Sequence, residues 1–450
     1  MSRTELSRPT VSGITALGKI TASRTGRIGS CAGMVWIFCW MSSSCSKSRF
    51  MAQSEICYDP RVSGERRFQW TVALILFGVL FLGVSDTQLV APLLPLIASD
   101  LGITPGHAGI IVTTYSLAAA AFALFVGPVS DRVGRKKVLV SGLAVFSLAS
   151  FFTYHVSTFG ALVILRALTG LAAGTLSTSA LSFAGDYYPY EERGRAMGIL
   201  SMGYFVAFVA GVPAGALAAS RLGWHWVFAC LSAGAGAMFA IAVIQLPSRP
   251  ISAPSEWRPA GLLDHFRKPD RFAGMIAALL TSGGIVGFLT YTGAWLKTTY
   301  DIGVDRIGLL FMVSGAAAIA ASPVSGWLSD HAGKRNVIVW SNIVLALLFV
   351  VVARTESGVW LVMGIATLSI AASARQAPLH ALTTEIVVPE IRGEYIALRN
   401  AFSQLGIAAI AAVAAPAFDR RGFSAVAAIA AFATLLIPIC CIWLKEPDRA

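Results

Sequence analysis

Gly127-Pro128-Val129-Ser130-Asp131-Arg132-Val133-Gly134-Arg135-Lys136-Lys137 lies between two long apolar runs, and its reading decides the fold. Two glycines, a carboxylate and four cations fill a gap too short for a domain. Such a gap is a tight hairpin between two membrane helices, on the side of the bilayer that tolerates Arg and Lys. A second copy occurs as Gly326-Trp327-Leu328-Ser329-Asp330-His331-Ala332-Gly333-Lys334-Arg335. Asp131 and Asp330 are 199 residues apart, as are Gly134 and Gly333, and again Arg193 and Arg392. A single insertion would break that register. The chain therefore consists of two copies of one unit, each with the hairpin at the same place.

Composition points the same way. Of the 450 residues, 56% are apolar and 13% charged, about half the charge of a soluble domain. Many runs exceed the roughly 18 apolar residues that mark a membrane helix. A net charge of +12 could suggest nucleic acid, but the distribution of the 35 cations argues otherwise. Ten precede Trp70, sixteen fall in the loops on the hairpin side and the C-terminal tail, and six fall in the loops on the other side. This bias predicts that both termini and both hairpins face the cytoplasm. Cys31, Cys39, Cys45 and Cys57 precede the first helix, and Cys230, Cys440 and Cys441 lie in apolar runs. None has metal-ligand spacing, and the histidines are scattered singly, so no metal site is expected.

The pattern predicts an all-α polytopic membrane protein: 12 transmembrane helices in two parallel six-helix repeats around a central cavity. The expected spans of the first repeat are about 70–97, 107–129, 138–155, 159–185, 194–219 and 226–246. Those of the second are about 272–296, 307–328, 337–353, 359–386, 394–417 and 424–444. The domains read as an extension (1–69), a first bundle (70–246), a polar cytoplasmic link (247–271), and a second bundle with a short tail (272–450). Within the extension, Cys31 to Met41 is apolar but too short to span. An alternative start at Met51 would leave the first 50 residues outside the native chain.

Gly-x-x-x-Asp-Arg-x-Gly-Arg-Lys-Lys after a second membrane helix resembles the signature loop of the major facilitator superfamily. The similarity extends over residues 70–446, with His331 standing where the first copy has Arg132. The resemblance implies a secondary transporter whose first, fourth, seventh and tenth helices line the cavity. It implies a gate in which Asp131 faces the start of the eleventh helix, at Arg392-Gly393-Glu394, where the helix dipole favours an anion. By the repeat, Asp330 should face the start of the fifth helix near Arg193-Gly194. Gly127, Gly134, Gly326 and Gly333 permit the turns, while Arg132, Arg135 and Lys136 are expected to anchor to anionic headgroups. The plain alternative is a topological anchor with no gating role.

Four further features bear on transport. In the fourth helix Arg166, Gly170 and Gly174 share one face, and glycines at that spacing let a neighbouring backbone approach. This resembles the superfamily's fourth-helix Arg-x-x-x-Gly motif, linked to proton transfer in exporters; a structural Arg bonded to carbonyls is the alternative. In the fifth helix Gly211-Val212-Pro213-Ala214-Gly215 departs from the Gly-Pro-x-x-Gly-Gly of exporters. It still suggests the drug/proton antiporter and arabinose-efflux-type branch, against a mere packing kink. In the tenth helix Arg375-Gln376 and His380 flank Pro378, and the eleventh carries Asn400 and Gln404. A buried Arg costs a few kcal/mol and so faces a cavity or a partner. Finally, Asp86 near the middle of the first helix and Arg375 differ in level by roughly 7 Å at the helical rise, within reach of an Arg side chain. Their pairing and separation would release and load a proton on Asp86.

No nucleophile–base pair or phosphate loop is present, so no enzyme and no cofactor is expected. The expected partners are the lipid bilayer, a small-molecule substrate and protons, with no nucleic acid, and the chain is expected to act as a monomer. The reading is proton-coupled efflux of small amphipathic molecules from a bacterial inner membrane. Its rivals are uptake of a sugar or organic anion and a transporter-shaped receptor without flux.

Overall fold

The structure, a computed structural model, describes residues 68–248, 264–388 and 391–444. The extension with its Met51 start, most of the link and the C-terminal tail lie outside the described residues. Phe68 onward forms one compact unit. Among the described residues, twelve helices are long and apolar enough to cross a membrane. In the first repeat they are α1 (Trp70–Asp100), α2 (Pro105–Ser130), α3 (Arg135–Tyr154), α4 (Phe159–Tyr187), α5 (Glu191–Leu222) and α6 (Trp224–Gln245). In the second they are α7 (Pro269–Tyr300), α8 (Val304–Ala332), α9 (Lys334–Val352), α10 (Val359–Thr383), α11 (Arg392–Arg421) and α12 (Phe423–Trp443). The spans match the hydropathy runs; the helices overrun them mainly at their polar ends, where water rather than lipid meets the backbone.

Glycines set the links. Gly134 (φ +104°) joins α2 to α3 and Gly333 (φ +90°) joins α8 to α9, both in backbone conformations closed to most L-residues. Gly223 (φ +92°) and Gly422 (φ +73°) do the same between α5 and α6 and between α11 and α12. The second pair keeps the 199-residue register of the first. Within each repeat, glycines also set helix contacts. A Cβ at Gly170 would strike the Tyr115 carbonyl, and one at Gly174 would lie 2.8 Å from the Ala119 carbonyl oxygen, so α4 rides directly on α2. Gly211 and Gly215 do likewise for α5, against Ser85 and Leu89 of α1. A π-helical turn at Ala207–Gly211 precedes Pro213 there.

The two repeats meet through α2 with α11, α5 with α8, and α1 with α7. These seams are tightest at the end of the molecule opposite the two hairpins. There Gly293 of α7 presses on the Ala91 carbonyl of α1, Gly308 of α8 lies over Pro213 and Ala216, and Gly109 abuts the Tyr291 ring. The α2–α11 seam runs further, as far as Leu124, which packs on the cluster of Tyr395 and Leu398.

Gly170→Val forces a side chain into the α2 backbone, and overpacking costs about 1–3 kcal/mol. Gly160→Val on the same helix meets open space. Thermal unfolding of the purified protein should show a clearly lowered midpoint for the first variant only; equal midpoints would mean that α2 yields to α4.

Candidate functional site

Among the described residues four arginines are buried within the helices; Arg271, at the start of α7, lies against His265, and the other three are each matched differently. Arg166 of α4, 1% exposed, places Nη1 2.7 Å from Oδ1 of Asp86 on α1, itself 0% exposed. Tyr115 of α2 lies beneath the guanidinium, 4.5 Å from its ring centroid, and Phe228 of α6 flanks it at 5.8 Å. The Tyr115 hydroxyl is 2.8 Å from Thr87 Oγ1, whose own proton goes to the Gly83 carbonyl. Two polar atoms of the pair remain without a partner, Asp86 Oδ2 and Arg166 Nε. Gly170 and Gly174 matter here because the α4–α2 approach they allow brings Tyr115 under Arg166.

Arg375 of α10 has no carboxylate among the described residues. Its Nη1 donates to Asn342 Oδ1 of α9 at 2.7 Å, and its Nη2 to the Thr281 carbonyl of α7 at 3.0 Å. Asn342 is held in turn by the Ile338 carbonyl at 2.7 Å. The pairing of Asp86 with Arg375 expected from the sequence is therefore not made. Helical rise gives a level but no azimuth, and α1 packs along α4, not along α10. Arg399 of α11, 6% exposed, donates from Nη1 to Thr383 Oγ1 of α10 at 3.1 Å. On α10, Gln376 and His380 approach each other at 3.5 Å and are both exposed.

At the hairpins, the side chain of Asp131 lies outside the described residues. Arg135 makes an ion pair with Asp186 at the end of α4, and Lys334 makes the equivalent pair with Glu385 beyond α10. Both partners keep the 199-residue register, so the repeat itself carried a signal for them. Lys136 Nζ donates to the Val243 carbonyl near the C-terminus of α6 at 2.8 Å, where the helix dipole favours a cation. Arg135 and Lys136 thus tie the hairpin to its own repeat instead of serving only as headgroup anchors; Arg132 is exposed. Asp330 is also exposed and, among the described residues, makes no hydrogen bond or ion pair with the Arg193–Gly194 turn. In this conformation α8 and α5 are joined at their other ends, at Gly308 and Gly315, which leaves the hairpin end of α8 apart.

At that opposite end one carboxylate bridges the repeats. Asp419, near the end of α11, accepts from the Gly106 backbone N–H at 2.9 Å and from Thr104 Oγ1 at 2.6 Å. Thr104 caps the start of α2 by accepting from the His107 N–H at 3.1 Å. An anion thus sits on the positive end of a helix of the other repeat. Tyr291 of α7 reinforces this end by donating to the Ala411 carbonyl of α11 at 3.0 Å.

The family model described as "Major Facilitator Superfamily" matches residues 76–304 and 292–450. The chain belongs to the major facilitator superfamily. A chloramphenicol resistance protein of Streptomyces lividans is 30% identical over 264 residues, 57% of this chain and 66% of the relative. The 4-hydroxybenzoate transporter PcaK of Pseudomonas aeruginosa is 27% identical over 316 residues, 60% of this chain and 68% of the relative. Among solved structures, a bacterial homologue of the human lysosomal transporter Spinster, in an inward-facing and unoccupied conformation, superposes with a TM-score of 0.67. At 16% identity, covering 85% of this chain and 96% of that one, it shows the fold alone. As a member of the superfamily, the chain is a multi-pass membrane protein. Of the helices that the hairpin resemblance assigns to the cavity, α1 and α4 carry Asp86 and Arg166, and α7 and α10 carry Thr281 and Arg375.

The bridge at Asp419 has a measurable consequence. In a background without native cysteines, Ala415→Cys places a thiol in the α2–α11 seam, where Ala415 is 9% exposed. Adding Asp419→Ala should raise its labelling by a membrane-impermeant maleimide several-fold. An unchanged rate would show that apolar packing alone closes this end.

Proposed function

We propose that the chain is a proton-coupled transporter that exports small amphipathic molecules by alternating access. In this reading the bundles 70–246 and 272–450 rock about the seams, in a bacterial inner membrane, with the cation-rich hairpin side and both termini in the cytoplasm. The observation that carries the reading is the wholly buried Asp86–Arg166 pair. Parting the two would leave the carboxylate without its counter-charge, and in this reading a proton then takes the place of the guanidinium. Oδ2 has no hydrogen-bond partner, so a proton placed there breaks no existing bond. Rocking that shifts α1 against α4 would then load Asp86, and re-pairing with Arg166 would discharge it. Tyr115 and Phe228 keep a cation in place over their faces while the carboxylate is neutral.

Export is supported by the chloramphenicol-resistance relative and by the Gly211–Gly215 pattern of α5. A second reading, uptake of an organic anion, is favoured by the cations Arg375 and Arg399 and by the 4-hydroxybenzoate-transporting relative.

Asp86→Asn keeps the hydrogen bond to Arg166 but removes the titratable group. In proteoliposomes, substrate exchange without a gradient should survive, while pH-driven accumulation should fall to the level of the leak. Monodisperse elution of the variant guards against a folding defect, because an unmatched Arg166 is itself costly. Accumulation that persists with the gradient would remove Asp86 from the proton path.

A further inference from the structure

The charges of the two repeats are not balanced alike. Arg166 in the first has a carboxylate; Arg375 and Arg399 in the second have none among the described residues. Arg375 is 1% exposed and has two acceptors fixed on neighbouring helices, so it reads as a strut of its bundle. Arg399 is different. It holds a single neutral acceptor, the Thr383 hydroxyl; its Nε, like those of Arg166, Arg271 and Arg375, is buried without a partner. The Nε–Nη2 edge of the guanidinium, the edge that donates to a carboxylate in two parallel bonds, has no protein acceptor among the described residues.

The surroundings favour an anion. Gln376, His380 and Thr383 recur at four and three residues on α10 and so share one face. His380 lies within electrostatic range of Arg399. Both Gln376 and His380 are exposed although α10 is a membrane span, and polar side chains at such depth face water, not lipid. The Tyr395 hydroxyl donates to the Arg271 carbonyl at 3.1 Å, which brings the start of α7, with Arg271 and Asp270, to the neighbourhood of Arg399. Glu394, on the same helix as Arg399, makes no ion pair with it, and its Oε1 has no partner.

We propose that Arg399, with Gln376 and His380 beside it, forms a subsite for the carboxylate of an anionic amphipathic substrate. The carboxylate takes the unpartnered edge of the guanidinium, and the side-chain amide of Gln376 donates to it. The substrate supplies the counter-charge that Arg399 lacks among the described residues, as Asp86 supplies it to Arg166. This rests on the reading of the chain as a transporter of amphipathic molecules and narrows it to acids.

The test uses the full-length purified protein in detergent, with no gradient, so its outcome is independent of proton coupling. Thermal unfolding is followed with benzoate, phenylacetate and hexanoate, and in parallel with their neutral amides and with benzylamine. At least one acid should raise the midpoint in a saturable manner while the amides and the amine do not. Arg399→Gln should abolish the shift. Arg399→Lys, which keeps the charge but loses the bidentate edge, should need roughly tenfold more acid for the same shift. If Arg399→Gln does not fold, the Lys variant decides alone. An equal shift by acids and amides, no shift by any acid, or an undiminished shift in the Lys variant overturns the proposal. Should the acids bind as expected while Asp86→Asn still accumulates substrate with the gradient, the subsite stands and the proton path is wrong.

Discussion

A charge inside a lipid-embedded helix must find its counterpart within the protein, because the bilayer offers none. Arg166, Arg375 and Arg399 meet this constraint in three ways. Arg166 draws α1 to α4 through Asp86 and needs α2 close enough for Tyr115 to lie beneath it. Two glycines on α4 stand at the spacing that permits this approach. Arg375 joins α7, α9 and α10 through neutral acceptors. Arg399 joins α10 and α11 by a single hydroxyl. The first two arrangements organise a bundle; the third matches a buried charge with one neutral hydroxyl.

The contacts between the repeats are of another kind. They consist mostly of small residues against backbone, at Gly109, Gly293 and Gly308, with the Asp419 carboxylate on the N-terminus of α2 as the polar element. Such surfaces can part and re-form without stranding a buried charge. Asp419 and Thr104 are exposed enough to exchange each other for water, so breaking this bridge costs little. The interior pairs are strong and lie within a repeat, whereas the weaker ones lie between repeats. That division of strength is what a molecule needs if two rigid halves are to move against each other.

Much of this architecture is legible in the chain. The 199-residue register gives the repeat, the glycines with positive φ fall where the hairpins require them, and the apolar runs give the twelve spans. The site is only partly legible. Asp86, Arg166 and Arg375 announce themselves as charges in apolar runs, but their partners do not. Axial levels made Arg375 a suitable mate for Asp86; which helix faces which decided for Arg166, and one sequence does not encode azimuth openly. Tyr115 and Asn342 look like ordinary residues of apolar helices. Arg135 reads as a headgroup anchor until Asp186 is seen beside it, although Glu385 repeats that partner in register with Lys334.

The central claim is that the protonation of Asp86 depends on its separation from Arg166. Infrared difference spectroscopy reads this directly. The protein is locked in the present conformation by a disulfide engineered across the α2–α11 seam, and spectra are compared before and after reduction in the presence of substrate. The account predicts that a carboxylic acid carbonyl band grows as the lock is released and that Asp86→Asn removes this band while leaving the helical amide bands unchanged. A carboxylate signal that stays constant through release, or an acid band that survives in the Asn variant, would contradict it.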